Sequence, residues 1–239
     1  MIGKCFSFKG KKYNVIILAG GAGTRIGNQS DYIPKALTQI GSRRAIDYII
    51  ERYSDVANEF IIGTSYHSDL LQSYIKGNFK VPITFTYENP DELKNNATSF
   101  MYCLDKCDSR YSTIVVFCDL IPLSNFNISD DSILIATEKT KGNIGTFRHS
   151  FNHGYIVENE NPIKPDIENT GILGTFVFSN TKLLKAITYS YEDNFLQDIT
   201  SDIALPYNAK IQMQGVECEK VFEFGTTEDI MEVRKLWAK

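Results

Sequence analysis

Apolar residues along this chain recur in two rhythms. Val15-Ile16-Ile17-Leu18 is a β-branched run ending in a glycine cluster, the pattern of a strand buried on both faces. Ile46, Ile49, Ile50 and Tyr53 then fall at helical spacing, and Phe60-Ile61-Ile62 reads as the next strand. Leu70, Leu71, Tyr74 and Ile75 mark a second helix, and Ile83 to Tyr87 alternates as a strand. Phe100, Cys103, Leu104 and Cys107 form a helical stripe that Asn95 or Asn96 can cap. Thr113 to Phe117 is another strand. The second half predicts strands at 132–136, 154–158 and 172–178, helices near 181–189 and 194–203, and short strands near 209–213 and 221–224. Thr226-Thr227-Glu228-Asp229 is a capping box for a last helix that turns Ile230, Val233 and Trp237 inward. Residues 4–10 suggest a small hairpin.

Alternating strands and helices imply right-handed βαβ units. The expected class is α/β: a Rossmann-like mixed, mostly parallel sheet flanked by helices. No internal repeat and no linker-like stretch divides the chain, so one domain is expected over residues 1–239. On such sheets ligands bind beyond the C-terminal strand ends, where strand order reverses. Chemistry is therefore sought just after residues 18, 63, 87 and 117.

Composition narrows the classes. Apolar residues at 43% and charged residues at 23% exclude wholesale disorder. The net charge of −4 argues against a general nucleic-acid binder, though a local basic pocket stays open. No apolar run approaches the roughly 18 residues of a membrane span, and residues 1–12 lack a signal-peptide core. Five cysteines without an export signal read as reduced thiols of a cytoplasmic protein. His149 and His153 are four apart, but Gly154 and the strand-like Tyr155-Ile156-Val157 place them on loop and strand rather than on a zinc-binding helix face.

The densest chemistry follows the first strand. Leu18-Ala19-Gly20-Gly21-Ala22-Gly23-Thr24-Arg25 is followed ten residues later by Lys35, behind Pro34. Glycines at a strand end let backbone N–H groups approach phosphate oxygens. A P-loop would need a lysine directly after the glycines, and none is there. A dinucleotide loop would need glycine where Ile26 stands, and an acid where the second strand ends in Gly63-Thr64.

This segment, with Pro34-Lys35 at this spacing, resembles the signature of the nucleotidyltransferases that make nucleotide sugars and related activated metabolites. The resemblance extends over most of the chain. Phe117-Cys118-Asp119 is similar to that family's strand-end Asp, usually preceded by Gly. Asn169-Thr170-Gly171-Ile172 resembles its Asn-x-Gly-Ile segment, and residues 222–229 resemble its Asp-x-Gly-Thr-Pro-Glu-Asp segment, with Glu223 in place of the usual Asp.

The resemblance implies an enzyme that joins an NTP to a phosphorylated small molecule, releasing pyrophosphate, with Mg2+ as cofactor. It implies a nucleotide loop of Leu18, Ala19, Gly20, Gly21, Gly23 and Thr24. Arg25 would meet the β- and γ-phosphates as a forked donor, and Lys35 the α-phosphate and the acceptor phosphate as a compact charge. Asp119 and Glu223 would hold the metal. On the acceptor side, relatives often carry Glu-Lys-Pro where this chain has Glu160-Asn161-Pro162; Lys164 stands nearby, and Asn169 is a further candidate. Asn95-Asn96-x-x-Ser99 resembles the segment of relatives that use CTP on phosphocholine or aminophosphonates, which puts Asn96 and Ser99 beside the nucleotide.

Three readings follow. The first is transfer to a sugar 1-phosphate. The second is CTP-dependent transfer to a non-sugar acceptor such as phosphocholine, an aminophosphonate or a phosphorylated amino acid. The third is a nucleotide-binding regulatory domain without turnover. The expected partners are the NTP and the acceptor, with no nucleic acid and no membrane; a homo-oligomer stays open.

Overall fold

The computed structural model describes residues 5–7, 10–26, 32–91, 95–191 and 196–237. In chain order the strands are β1 (Cys5–Ser7), β2 (Tyr13–Leu18), β3 (Gln39–Ile40), β4 (Arg43–Arg44), β5 (Ala57–Thr64), β6 (Ile83–Tyr87), β7 (Ser112–Phe117), β8 (Leu120–Pro122), β9 (Phe126–Ile128), β10 (Ser132–Ala136), β11 (Lys141–Asn143), β12 (Phe147–Asn152), β13 (Tyr155–Ile163), β14 (Gly171–Phe178), β15 (Gln214–Glu217) and β16 (Lys220–Glu223). The helices are α1 (Ala45–Tyr53), α2 (Ser68–Asn78), α3 (Asn96–Lys106), α4 (Thr181–Thr188), α5 (Leu205–Asn208) and α6 (Thr227–Trp237).

Seven strands build the central sheet in the order β15-β10-β14-β7-β2-β5-β6. β2 pairs in parallel with β5 on one side and β7 on the other, and β6 continues in parallel beyond β5. β14 runs antiparallel to both its neighbours, β7 and β10. The sheet is thus mixed and mostly parallel.

Burial explains why β2 is central. Val15, Ile16 and Ile17 are all fully buried, and their alternation sends them into different layers. Val15 and Ile17 join Ile46, Ile49 and Ile50 of α1 and Leu71 and Ile75 of α2. Ile16 joins Phe100, Cys103 and Leu104 of α3 and Leu184 of α4 on the opposite face. Each such side chain contributes about 1.5–3 kcal/mol on burial. Helices therefore cover both faces, as the sequence predicts.

After β6 the chain crosses back through α3 to β7, on the far side of β2. Strand order reverses between β2 and β7, which opens a crevice beyond Leu18 and Phe117. A second sheet, β11-β16-β8, closes one end of it. In that sheet Glu223 pairs with Leu120, and Phe224 N donates to Asp119 O at 3.0 Å. Thr226 and Asp229 form the expected reciprocal capping box: Thr226 N donates to Asp229 Oδ2 and Asp229 N to Thr226 Oγ1. Ile230 and Val233 are buried as expected, while the side chain of Trp237 lies outside the described residues.

Three expectations are corrected. Residues 209–213 form no strand: Ile211 N bonds Tyr207 O and Met213 N bonds Asn208 Oδ1, so the backbone completes the turn after α5, and the strand starts at Gln214. The helix expected near 194–203 is a π-type turn, Thr200–Ala204, running into α5; residues 194 and 195 lie outside the described residues. Cys5–Ser7 pairs in parallel with Phe126–Ile128 rather than with its own neighbours. Lys4 and Phe8 of the expected hairpin are also outside the described residues.

Burial pushes the thiols of Cys103, Cys107 and Cys118 up to about 12, and that of Cys218 upward. A raised thiol pKa leaves almost no reactive thiolate near neutral pH. A thiol-labelling time course at about pH 8 is expected to spare these four cysteines in the native protein and to reach them after unfolding. Fast native labelling of any of the four, located by peptide mapping, would contradict this packing.

Candidate active site

The glycine loop leaves β2 under tight constraint. Ala19 N donates to Gly63 O at 3.0 Å, so the chain stays against β5 for one residue beyond the strand. A Cβ on Gly20 would stand 3.2 Å from Ser65 Cβ, which is why the close approach needs glycine. Gly23 has φ +68°, the left-handed region. Ile26 N then bonds Gly23 O, and Ile26 is buried, so the turn is anchored while Arg25 stays exposed at its rim.

Lys35 opens a short 3₁₀ turn, Lys35–Leu37, behind Pro34. Ala36 and Leu37 are buried and hold the turn in place. Lys35 is itself only 9% exposed, and its Nζ lies 3.1 Å from Asp119 Oδ2 and 5.6 Å from the Phe224 ring centroid. Asp119 is the second residue beyond β7, so the cation and the carboxylate meet where strand order reverses.

These residues surround a cavity of about 590 Å³. The glycine loop with Arg25 lines it together with Lys35, Asp119 and Gly225, and Asn95, Asn96 and Ser99 line the end formed by the start of α3. Its size suits a nucleotide-sized ligand. Among the expected loop residues Ala19 does not line it: the residue is 2% exposed and belongs to the core.

The α3 end is more committed than its sequence suggests. Asn95 Oδ1 caps α3 by accepting from Ala97 N and Thr98 N, while its Nδ2 donates to Leu196 O at 2.8 Å. Asn96 donates to Asp198 Oδ2 and accepts from Ile199 N, so it clamps the 196–199 segment. Ser99 Oγ donates to Glu88 Oε2 at 2.6 Å. Glu88 is buried at the end of β6, and sequence reasoning missed it, as it missed Tyr66 and Gly225 in the cavity wall. Residue 88 does follow a strand end already marked for search, and this was the available signal.

A second cavity, about 540 Å³, meets the first at Phe117 and Asp119. Glu223, Arg148, His149, Glu158, Asp198 and Thr200 are among its lining residues. Glu160, Lys164 and Asn169 line neither cavity. Glu160 and Lys164 are exposed at the far end of β13. Asn169 is tied into its own loop, its N and Nδ2 donating to Asp166 Oδ1 and its Oδ1 accepting from Asn152 Nδ2. His149 lies on β12 and His153 in the following turn at φ 51°, so the two do not share a helix face.

Glu223 sits beside Asp119 by way of the β8–β16 pairing. Its Oε2 accepts from Gly145 N at 2.7 Å. Burial holds its carboxyl above the ordinary range; the Gly145 hydrogen bond opposes this, and the charges of Asp229 and Asp119 add to it. Arg25 Nη2 and Asp229 Oδ2 both lie within 4 Å of the place a Cβ on Gly225 would take, so charge of both signs gathers on this side of the cavity. Among the described residues no cluster of three or more His, Cys, Asp or Glu is suited to a metal. No helix there is long and apolar enough to cross a membrane.

No curated protein matches the chain by sequence. Among the solved structures similar in fold are the following three. A CTP:phosphocholine cytidylyltransferase from Streptococcus pneumoniae has a TM-score of 0.72 at 16% identity, covering 94% of this chain and 99% of that one. The inositol-1-phosphate CTP transferase from T. maritima has a TM-score of 0.73 at 18% identity, covering 97% of each. A UDP-glucose pyrophosphorylase complexed with UDP-glucose has a TM-score of 0.69 at 15% identity, covering 100% and 99%. The nucleotidyl transferase family profile matches residues 14–238, and with a mostly parallel sheet, a glycine loop and a strand-end acid meeting in one crevice, this chain belongs to the nucleotidyl transferase family.

Proposed function

We propose that this enzyme, acting as one domain, transfers a nucleotidyl group from an NTP to a phosphorylated small molecule, a sugar 1-phosphate, and releases pyrophosphate. The observation that carries the reading is the junction of two cavities at Asp119, with Lys35 Nζ 3.1 Å from its carboxylate. One cavity suits the nucleotide and the other the acceptor, so the reacting phosphates meet at the junction.

The chemistry needs no covalent enzyme intermediate. A phosphate oxygen of the acceptor attacks the α-phosphorus in line, the new O–P bond forms, and the bond to the β-phosphate oxygen breaks as pyrophosphate leaves. Positioning and positive charge are what the protein supplies. Lys35 suits the α-phosphate and the incoming acceptor phosphate; Arg25, at the loop rim, suits the leaving pyrophosphate.

Asp119 and Glu223 fit a magnesium ion. They are neighbouring carboxylates, the Glu223 pKa is raised by burial and by the adjacent negative charges, and a divalent cation relieves that repulsion. Magnesium needs only one or two protein carboxylates beside phosphate and water oxygens. When bound, it neutralises the triphosphate.

The sugar reading draws on the lining of the second cavity. A quaternary ammonium group favours a cage of aromatic faces. Among the described residues this cavity has two phenylalanines, Phe117 and Phe147, and no Tyr or Trp, against Thr146, Gln197, Thr200 and Ser201, which suit hydroxyl groups. The CTP-dependent, non-sugar reading is favoured by Asn96 and Ser99 at the α3 end of the nucleotide cavity. A panel of the four NTPs against sugar 1-phosphates and phosphocholine, read by pyrophosphate release, separates the two. If none of the acceptors gives pyrophosphate release, both readings fall and a domain that only binds nucleotide is left.

Arg25→Ala and Lys35→Ala are each expected to slow the reaction by roughly 10³-fold. The Arg25 loss should fall mainly on kcat/KM for the NTP, the Lys35 loss on both substrates. Wild-type kinetics in either variant removes that residue from the reaction. Asp119→Asn should abolish turnover and leave the far-UV circular dichroism spectrum unchanged.

Glu223 generates a pH prediction. Its folded pKa is raised, so its ionised form is the costly one: its contribution to stability is greatest at low pH and falls as pH rises through the folded pKa. Without magnesium, Glu223→Gln should melt at or above wild type near pH 8, with the gap closing as pH falls. With magnesium the order should reverse, and the variant should need more magnesium for activity. Gly145→Ala tests the same carboxylate from outside, because its Cβ would stand 2.7 Å from Glu223 Oε2. Magnesium titrations that superimpose for wild type and both variants would take Glu223 out of the site.

A further inference from the structure

Among the described residues β12 and β13 pair with each other alone as a two-stranded sheet, yet the pair carries side chains into the second cavity. His149 and Glu158 are directly opposite in its register, and both line that cavity. Residues directly opposite on an antiparallel pair share one face, so the imidazole and the carboxylate present themselves side by side. The His149 Nε2 atom is buried and has no hydrogen-bond partner. Buried ring nitrogens of this kind are normally satisfied, and one left open beside a cavity is a place for a ligand atom. Glu223, the metal-side carboxylate, lines the same cavity.

The neighbouring polar groups differ in character. Asp198 is spent on structure: its Oδ1 accepts from Thr200 N and Ser201 N, and its Oδ2 from Asn96 Nδ2. Its charge is thus already satisfied by donors of the protein. His149 and Glu158 are not used in this way, and together they offer one group that donates or accepts and one that accepts only. Such a pair matches vicinal hydroxyl groups, each of which both donates and accepts. A quaternary ammonium head, which has no N–H, would leave the imidazole without a bond.

We propose that His149, supported by Glu158 across the strand pair, recognises the acceptor in this enzyme by hydrogen-bonding hydroxyl groups on the polyol body of the sugar phosphate. The inference rests on the acceptor reading above and adds to it the residues that read the sugar. Their place on a short hairpin, outside the central sheet, separates recognition of the acceptor body from the reacting groups at Lys35 and Asp119.

The test uses the full chain and two variants, His149→Ala and His149→Gln, with glucose 1-phosphate and other hexose 1-phosphates as probes. The expected result is a KM for the acceptor raised about tenfold in His149→Ala, the loss of one useful hydrogen bond, with the KM for the NTP unchanged. His149→Gln, whose amide can replace Nε2, should recover part of the loss. Equal acceptor KM in wild type and His149→Ala overturns the proposal, as does a loss that falls equally on the NTP. Turnover with phosphocholine alone overturns the polyol assignment and leaves the family reaction standing. If no acceptor supports turnover, the reaction proposed above falls, and calorimetry of glucose 1-phosphate binding still decides the site. Weaker binding to His149→Ala than to wild type supports it; equal or absent binding overturns it.

Discussion

Lys35 is nearly buried, and a buried ammonium is tolerated only beside a counter-charge. Asp119 supplies it at 3.1 Å. This pair joins two distant parts of the chain, the turn after the glycine loop and the end of β7, at the reversal point of the sheet. The Asp119 carbonyl also accepts from Phe224 N, which ties β16 and therefore Glu223 to the same spot. The site is thus held by one charge pair and one backbone hydrogen bond, with β2 and β7 as its floor. The charge that balances Lys35 in this structure is also the charge that a metal and phosphates would contest, so the contact that stabilises the pocket is one that substrate binding would reorganise.

Much of this was legible in the sequence because it depends on local rules. β2 is a β-branched run buried on both faces. The glycine loop follows from the close approach at Gly20 and the positive φ at Gly23. α3 carries its apolar stripe, and α6 has its Thr226–Asp229 box. What was not legible depends on tertiary pairing. The backbone of 209–213 is consumed by the turn after α5, and no propensity announces that. β1 pairs with β9 across more than a hundred residues. The second cavity draws on β12, β13, the 196–201 segment and β16, so no single motif reveals it. Glu160, suggested by the family's Glu-Lys-Pro segment, and Lys164, suggested by its nearness to that segment, lie on the exposed end of the hairpin that carries Glu158 into the cavity.

Two of the departures from the family pattern, at 118 and 223, are linked to packing. Cys118 is 8% exposed and fills core volume between the sheet and its covering residues, where glycine would leave a gap. Glu223 is longer than the usual Asp, and the added length is used: its carboxylate reaches Gly145 N, just beyond β11. A Cβ at position 145 would collide with that same oxygen. Glu223 and Gly145 therefore form a matched pair, and an aspartate at 223 would regain the family residue while losing the contact that orients it.

Identities of 15–18% with TM-scores of 0.69–0.73 have a physical reading. The fold requires that certain positions be buried and apolar and that a few backbone turns be possible, and many sequences satisfy both. Gly20, Gly21 and Gly23 bring backbone into the lining of the first cavity, and a backbone turn of this kind constrains few side chains elsewhere. The second cavity takes part of its lining from side chains on β12 and β13, which belong to a separate two-stranded sheet. A change at His149 or Glu158 leaves the central sheet and the Lys35–Asp119 pair untouched. If the second cavity takes the acceptor as proposed, acceptor choice can change without disturbing the phosphate chemistry, and the hairpin, rather than the glycine loop, would distinguish one acceptor from another.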